Sequence, residues 1–441
     1  MARFRLKLFC VVAILAFYVP LNLCRAEYNY IDISNPFLHQ IPIAIPLFKA
    51  VSGSAAEAQL SEELSGLLSE SLRFTGYFKM LDHSTFLFDP QKSGIIAPDI
   101  SFRNWTAVGA ELLITGGLLV KEDKIDMELR LFDTFKEQLL IGKRYKGWKT
   151  DHRKMVRRFC GEVILCLTGT RGVFDSKIAF VSTGSGNKEI YICEFDGYNP
   201  KQVTHSKSIC LSPAWSTDAG YIAYTSYAKG KPDLYIRHLE QNRGAVVASK
   251  GVNITPAWVP GKFELAATLS FEGNPEIYLL TGEGKIIKRL TNNGGIDVSP
   301  SWSPDGREMA FVSNRAGSPQ IYVMDVDSGR VERITFEGRY NTSPSWSPRG
   351  DRIAYCGLKD GRFNIFTVSR DGRKLQQLTQ NSGDNESPSW SPDGSLIVFS
   401  STREGPSRIY VMTAYGTDQK RLLALPGEQT NPKWSPNGID K

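Results

Sequence analysis

The sequence predicts an α/β domain followed by an all-β propeller of six blades, and three observations support this prediction. The tripeptide Pro-x-Trp recurs six times in the second half of the chain, at steps of 43 or 44 residues. Such a period is typical of propeller blades, which need about 40–45 residues each. Each repeat also contains four short segments of alternating apolar and polar residues, as expected for half-buried strands. The six tryptophans are Trp215, Trp258, Trp302, Trp346, Trp390 and Trp434.

The repeat around Trp302 illustrates the predicted blade. Its strands are expected near residues 299–303, 308–313, 320–323 and 333–335. Pro304-Asp305-Gly306 supplies the turn between the first two, because Pro fixes φ, Asp bonds nearby backbone and Gly permits positive φ.

A proline stands two residues before each Trp. Proline cannot donate to a sheet ladder, so this strand is predicted to have a free edge, which in a propeller faces the central channel. The tryptophans themselves are expected to pack between blades rather than bind a ligand. The six prolines are Pro213, Pro256, Pro300, Pro344, Pro388 and Pro432.

The two ends of the repeat region are incomplete in complementary ways. The first copy of the pattern for the second strand of a blade, at Ile178, has no Trp strand before it. The last Trp strand, at 431–436, has no further strand pattern after it. We therefore expect the C-terminal strand to complete the blade that begins at Ile178. Closure of this kind gives six blades and removes exposed sheet edges.

Residues 1–26 read as a signal peptide, with a basic start, an apolar core and a small-residue cleavage site. The bulky Leu23 before Cys24 argues against a lipoprotein signal. Removing the four basic residues of this segment lowers the formal charge from +7 to +3. This charge is too small for the chain's size to indicate nucleic-acid binding. The mature chain is expected to be exported and to touch membranes only through partners.

Five cysteines remain after the signal peptide, and an odd number predicts no complete disulfide framework. Small buried thiols are the favoured interpretation. The pair worth testing for a bridge is Cys193 and Cys210, which fall near the same blade.

Residues 27–170 predict a separate α/β domain, and residues 171–441 the propeller. A strand is expected at 41–48, and Ser54 with Glu57 forms a capping box for a first helix. Three strands follow at 111–120, 124–133 and 138–145, and a second helix at 152–167 with Asp151 as its cap. Within the N-terminal strap, residues 27–38, residues 28–34 alternate like an edge strand at a mature terminus, which suits a segment that is either docked or free.

A basic cluster spans the end of this domain. A solvated helix face is its default interpretation, and a surface for an acidic partner is the alternative. Its members are Lys143, Arg144, Lys146, Lys149, Arg153, Lys154, Arg157 and Arg158.

Catalytic, phosphate-binding and metal-binding motifs are absent from the sequence. The five histidines are scattered, and only His205 and His238 fall in the propeller. The prediction is a non-enzymatic interaction protein without cofactor or metal. The alternative is a lyase or hydrolase whose site lies in the central channel, built from His205 or His238 with carboxylates.

Several segments together resemble the TolB family of the Tol–Pal system. Ser-Pro-Ser-Trp-Ser-Pro-Asp-Gly occurs at 299–306 and 387–394, and strands such as 321–325 match the family's repeats. Segments 42–48, 71–78, 109–116, 167–169 and 172–174 match its N-terminal domain in the same order. The resemblance covers essentially the whole mature chain.

The resemblance implies a monomeric periplasmic protein that supports outer-membrane integrity and constriction during cell division. It implies that the propeller mouth binds the lipoprotein Pal and that the mature N-terminus binds TolA. A generic propeller scaffold with other partners is a further alternative. By similarity, the Pal surface would consist of Val252, Asn253, Thr255, Asp297, Val298, Asn341, Thr342, Asn385 and Glu386. The TolA-binding strap would consist of Glu27, Tyr28, Asn29, Tyr30, Ile31, Asp32, Ile33 and Ser34.

Overall fold

The computed structural model of the protein describes residues 40–87, 94–241 and 243–437. The predicted signal peptide and the strap, residues 27–38, lie outside the described residues. Within those ranges, no helix is long and apolar enough to cross a membrane.

The N-terminal domain is a mixed sheet covered by helices. The strands are β1 Ile41–Ala44, β2 Lys49–Ala50, β3 Phe78–Met80, β4 Leu112–Lys121, β5 Lys124–Asp133 and β6 Gln138–Trp148. Their order in the sheet is β3-β1-β4-β5-β6, and β2 pairs with β4. The helices are α1 Ala55–Phe74, α2 Phe102–Ala107 and α3 His152–Thr168. Leucines at helical spacing along α1 (Leu60, Leu64, Leu68 and Leu72) are buried in one core with the sheet, which stabilises the helix more than propensity does.

Three local predictions in this domain change in detail. The strand predicted at 41–48 ends at Ala44, and β2 begins only at Lys49, because Pro46 offers no N–H to the ladder. Ser54 accepts a hydrogen bond from the Glu57 N–H at 3.2 Å, as a cap should. The buried Glu57 carboxylate instead accepts from Ser52 N and Val120 N at 2.8 Å. Asp151 makes no side-chain cap bond to α3, since a 3-10 turn occupies residues 149–151.

The rest of the described chain forms six four-stranded antiparallel sheets, the blades of a propeller. Blade 1 is β10 Cys210–Trp215, β11 Tyr221–Ser226, β12 Asp233–His238 and β13 Gly244–Val247. Blade 2 is β14 Asn253–Trp258, β15 Glu264–Leu269, β16 Glu276–Thr281 and β17 Ile286–Arg289. Blade 3 is β18 Asp297–Trp302, β19 Glu308–Ser313, β20 Gln320–Asp325 and β21 Val331–Arg333. Blade 4 is β22 Asn341–Trp346, β23 Arg352–Lys359, β24 Arg362–Ser369 and β25 Leu375–Gln377. Blade 5 is β26 Asn385–Trp390, β27 Leu396–Ser401, β28 Arg408–Thr413 and β29 Lys420–Arg421.

Blade 6 is composite, as the incomplete ends of the repeat predict. Its inner strand is β30 Gln429–Trp434, and its other strands are β7 Lys177–Ser182, β8 Glu189–Glu194 and β9 Lys201–Gln202. β30 pairs antiparallel with β7, with Trp434 opposite Ile178. The C-terminal strand therefore closes the ring.

Tryptophan indoles link neighbouring inner strands around this ring. Trp302 Nε1 donates to the Ala257 carbonyl at 3.1 Å, and Trp390 Nε1 donates to the Ser345 carbonyl at 3.0 Å. Trp215 Nε1 makes the same bond to the carbonyl of Lys433 on β30, at 2.9 Å. The closing blade is therefore joined to blade 1 by the same bond that joins blade 2 to blade 3 and blade 4 to blade 5, and these three tryptophans are structural, as predicted.

Each inner strand bends at the residue before its proline. This residue has a positive φ between 48° and 58° in all six blades, and a register shift follows it. Such a bulge re-aims side chains and places the proline where no ladder hydrogen bond is needed. The six bent residues are Ser212, Thr255, Ser299, Ser343, Ser387 and Asn431.

The two domains meet at the turn between the third and fourth strands of blade 6. Arg153 and Arg157 of α3 both contact the Glu194 carboxylate, and Arg153 also contacts Asp196. Phe74 packs edge-on against Phe195 at 5.3 Å. The solvated-face interpretation of the basic cluster is therefore wrong for these two arginines, because their acidic partner is the chain's own propeller. Lys143 pairs with Glu162, and Arg144 and Lys146 pair with Asp126.

The suggested bridge between Cys193 and Cys210 is not formed. Both cysteines are free thiols in the structure. Cys193 Sγ faces the Ile178 carbonyl at 3.7 Å, whereas Cys210 Sγ lies 3.2 Å from Ser206 Oγ. Burial raises the pKa of both thiols, which disfavours the reactive thiolate.

Deleting residues 429–441 tests ring closure. The deletion exposes the edge of β7 and removes the buried Trp434, whose loss alone costs about 3–5 kcal/mol. We expect the melting temperature to fall by roughly 10 °C or more, or cooperative melting to be lost, as measured by circular dichroism. The control, deletion of 438–441 only, should melt like the full mature chain. Equal melting of the two truncations would contradict closure by β30.

Candidate functional site

The candidate site is the end of the propeller where the inner strands begin. In every blade, the carbonyl just before the inner strand accepts a hydrogen bond from the end of the second strand or from the residue after it; the Asp384 carbonyl, for example, accepts from Thr402 N at 3.0 Å. This repeated bond holds six equivalent residues in a circle, here called the outer rim. The outer rim consists of Ile209, Val252, Ile296, Tyr340, Asp384 and Glu428.

The next residue of each blade is buried and anchors the loop. Asn341 Nδ2 donates to Gln320 Oε1 of the preceding blade and to the Glu337 carbonyl, both at 2.8 Å. Asn253 Nδ2 likewise reaches the Ser249 carbonyl at 2.9 Å. These side chains set the shape of the rim from beneath it. The six anchors are Cys210, Asn253, Asp297, Asn341, Asn385 and Gln429.

The structure separates the candidate Pal-surface residues into three positions. Asn253, Asp297, Asn341 and Asn385 are anchors, so their side chains lie beneath the surface. Thr255 lies deeper still, on the channel wall among the prolines. The side chains that remain at the surface are those of Val252, Val298, Thr342 and Glu386.

A second circle, here called the inner rim, lies one residue after the anchors. Its side chains are partly exposed except for that of Glu386, which is exposed. Sequence reasoning found three of its members and one of the outer rim. The signal for the others was present, because the outer and inner rims stand six and four residues before every Trp. The inner rim consists of Leu211, Ile254, Val298, Thr342, Glu386 and Thr430.

The two rims together form the surface of this end of the propeller, here called the mouth. The chemical character of their side chains differs between its two sides. Blades 1 to 4 present an apolar arc, in which Ile209, Ile296 and Tyr340 are 43%, 44% and 43% exposed. Blades 5 and 6 present an acidic arc of Asp384, Glu386 and Glu428. Exposed apolar side chains clustered beside polar ones are typical of a protein-binding surface.

Two arginines stiffen this mouth. Arg315 Nη2 donates to Asp297 Oδ2 at 2.8 Å, and Arg403 Nη2 donates to Asn385 Oδ1 at 3.0 Å. Each guanidinium also lies over the aromatic rings of its own blade, Arg403 at 4.3 Å from the Tyr410 ring centre. The loops that carry the rims are therefore held in place without a partner.

Two carboxyl groups at the mouth have raised pKa values. Burial raises the pKa of Asp297, although the Ser313 hydroxyl and the Arg315 guanidinium favour its charged form. Partial desolvation raises the pKa of Glu386, and the neighbouring Asp384 charge acts in the same direction. Glu386 therefore gains from a cationic partner that stabilises its charged form.

The central channel contains two chambers. The narrower one holds about 100 Å³ and is ringed by the six prolines and the residues before them. The wider one, of about 450 Å³, opens toward the opposite end, where Trp and Pro side chains line it. His205 and His238 line neither chamber, so the described residues do not assemble the channel enzyme considered from sequence. Among them, no group of three or more His, Cys, Asp or Glu is placed to hold a metal ion.

The fold defines the chain as an α/β domain followed by a six-bladed β-propeller. The model of the "TolB beta propeller domain" matches residues 165–438, and that of the "TolB amino-terminal domain" matches residues 29–140. The first match spans more than half of the sequence. The chain therefore belongs to the TolB family.

Individual relatives of the chain are also TolB proteins. The Tol-Pal system protein TolB of Desulfosudis oleivorans is 59% identical over 268 residues, which cover 61% of each chain. That of Syntrophus aciditrophicus is 40% identical over 235 residues, or 52% of each chain. The chain thus spans between about half and three fifths of the length of these relatives. The crystal structure of TolB from Acinetobacter baumannii is similar with a TM-score of 0.79 at 29% identity, over 90% of this chain and 97% of that one.

Replacing Asp297 by Asn tests the electrostatics of an anchor. The folded-state pKa of Asp297 lies above the ordinary 3.8, so its favourable contribution is complete below about pH 3.8 and is lost as pH rises through the folded-state value. The free energy of unfolding, measured with urea, should therefore rise in Asp297→Asn relative to the wild type as the pH is raised from 3 to 7.

Asp305→Asn is the matched control at the exposed turn of the same blade. The Ser303 hydroxyl lowers the pKa of Asp305, so wild-type stability from this group is present above about pH 3.8 and is lost as pH falls. The free energy of unfolding of Asp305→Asn should therefore fall relative to that of the wild type as the pH is raised from 3 to 7. The same pH trend in both variants would contradict the burial argument.

Proposed function

We propose that the chain is a periplasmic, non-catalytic interaction protein that binds the lipoprotein Pal at the propeller mouth and TolA through residues Glu27–Ser34. In this role it supports outer-membrane integrity and constriction during cell division. The observation that carries the proposal is the divided mouth, with an apolar arc over blades 1 to 4 and an acidic arc over blades 5 and 6. Family membership supplies the candidate partners.

The apolar arc suits the centre of a protein interface. Ile209, Ile296 and Tyr340 project from the loops of blades 1, 3 and 4 with much of their surface exposed, so a compact partner can cover several at once. Covering apolar area contributes roughly 25 cal/mol per Å² before the costs of association. Aromatic anchors such as Tyr340 often dominate such interfaces.

The acidic arc suits orientation of the partner. Asp384 and Glu386 come from the same loop, and Glu428 comes from the loop of the next blade. A basic side chain of Pal placed here would stabilise the charged form of Glu386, whose pKa is raised by desolvation and by the Asp384 charge. Such charge pairs at the edge of an interface mainly set approach and register.

Within the described residues, the contacts that the N-terminal domain makes through Arg153 and Phe74 lie away from this end of the propeller. The N-terminal domain contacts the turns at the opposite end, through Glu194, Phe195 and Asp196. Pal at the mouth would therefore not compete with the inter-domain ion pairs. In this arrangement the two partners would use separate parts of the chain.

Reversing the charge of Glu386 tests the Pal surface. Glu386→Arg places a cation in the acidic arc, and Pal binding should weaken about tenfold, or about 1.4 kcal/mol. Isothermal titration calorimetry with Pal from the same organism measures this. The matched control is Glu283→Arg, the same charge change at an exposed turn at the opposite end of blade 2, which should bind like the wild type.

Equal affinities for Glu386→Arg and Glu283→Arg would contradict the proposed mouth, provided that both melt like the wild type. Asn341→Arg is unsuitable for this purpose, because Asn341 is buried and bonded beneath the surface. Thr342→Arg reports on the same blade from the inner rim.

Deleting Glu27–Ser34 tests the proposed strap. The variant keeps every residue of the buried core described above, so the melting temperature should stay close to that of the full mature chain. TolA binding should be lost, as measured by surface plasmon resonance on immobilised TolA, and Pal binding should remain. Unchanged TolA affinity would sink the strap hypothesis.

A further inference from the structure

Lys433 breaks the pattern of the channel wall. The residue before the Trp of each inner strand is small in blades 1 to 5, and in blade 6 it is lysine. Lys433 lines both chambers of the channel, so its side chain stands where they meet. The five residues at the equivalent position are Ala214, Ala257, Ser301, Ser345 and Ser389.

The ammonium group of Lys433 has no acidic counterpart in the part of the chain that the structure describes. Burial is the one influence on its pKa, which it lowers, and no carboxylate acts on it there. Lys433 is half-buried in the channel wall, and a partly desolvated charge without a partner is costly, so such a charge is normally paired or hydrogen-bonded. An anion in the channel would supply that partner.

Hydroxyl donors accompany this charge in the wider chamber. Ser301 Oγ accepts from Trp346 N, and Ser389 Oγ accepts from Trp434 N, both at 3.0 Å. Each hydroxyl uses a lone pair in this bond and keeps its hydrogen for another acceptor. Within the described ranges, neither hydroxyl donates to a protein acceptor.

The chamber is of a size suited to a small molecule, and its wall combines apolar and hydroxyl-bearing side chains. Its volume of about 450 Å³ falls within the usual range of ligand pockets, about 300–1,000 Å³. Trp258, Trp302 and Trp390 are among its lining residues, with Ser345 and Ser391. Aromatic walls with hydroxyl groups and one cation favour a ligand with an apolar body and a small charged head.

We propose that the wider chamber binds a small organic monocarboxylate, whose carboxylate pairs with Lys433 and accepts from serine hydroxyls and whose apolar part lies among the Trp and Pro side chains. A single cation stands in the described lining, so a monoanion balances it. A dianion such as phosphate would leave one charge unpaired in a partly desolvated site. The proposal is independent of the rim and of any partner there.

The probe for this site is 4-fluorobenzoate, followed by ¹⁹F NMR on the mature protein. We expect saturable binding at millimolar concentration, as is usual for a ligand of this size with one ion pair. Lys433→Ser restores the residue found in blades 3, 4 and 5, so it should fold, and it should weaken binding by about tenfold or more. The matched control is Lys374→Ser, at an exposed lysine of blade 4, which should bind like the wild type.

The neutral analogue 4-fluorobenzamide separates charge from shape and should bind at least about tenfold more weakly than 4-fluorobenzoate. Three results would overturn the proposal: no binding up to about 50 mM probe, equal binding by the wild type and a folded Lys433→Ser, or equal binding of benzoate and benzamide. Displacement of the probe by an equal concentration of inorganic phosphate would overturn the monocarboxylate assignment.

Discussion

Pairing of β30 with β7 is the constraint on which the rest of the structure depends. It joins the C-terminal end of the described chain to the strand that follows the N-terminal domain, and it places Trp434 opposite Ile178. The same strand offers the Lys433 carbonyl to the indole of Trp215. That bond repeats the one that joins blade 2 to blade 3 and blade 4 to blade 5. Without it, blades 1 and 6 would each lose a neighbour.

A closed ring turns positions in the repeat into circles in space. Residues six and four before each Trp become the two rims, the residue five before becomes the buried anchor, and the residue one before lines the channel. Because packing fixes the backbone at every blade, the exposed side chains of a circle are free to differ from blade to blade. The candidates for a specific function are therefore residues that differ from their equivalents in the other blades. Examples are Tyr340 and Glu428 on the outer rim and Lys433 in the channel.

The two ends of the ring are used differently. The N-terminal domain occupies turns at one end through Arg153, Arg157 and Phe74. The rims occupy the other end, where Arg315 and Arg403 hold the loops in shape. Because these loops are braced within the free protein, a partner would not have to order them, which lowers the entropic cost of binding.

Periodicity made the blade number, the composite blade and the structural role of the tryptophans predictable from sequence. Burial at the mouth was less predictable, because Asn253 and Val252 are neighbours in sequence and only the strand pairing places one beneath the other. Thr255 was misplaced for a related reason, since the bulge before Pro256 turns it onto the channel wall. The pairing of Arg153 with Glu194 depends on how the domains dock, which local patterns do not encode.

Hydrogen–deuterium exchange of the mature protein, with and without saturating Pal, most directly tests the central claim, which is the proposal that Pal binds at the propeller mouth. The claim predicts protection in the loops that lead into β10, β14, β18, β22 and β26, and unchanged exchange in the turns at 304–306 and 392–394. Protection confined to those turns, or to the N-terminal domain, would contradict it.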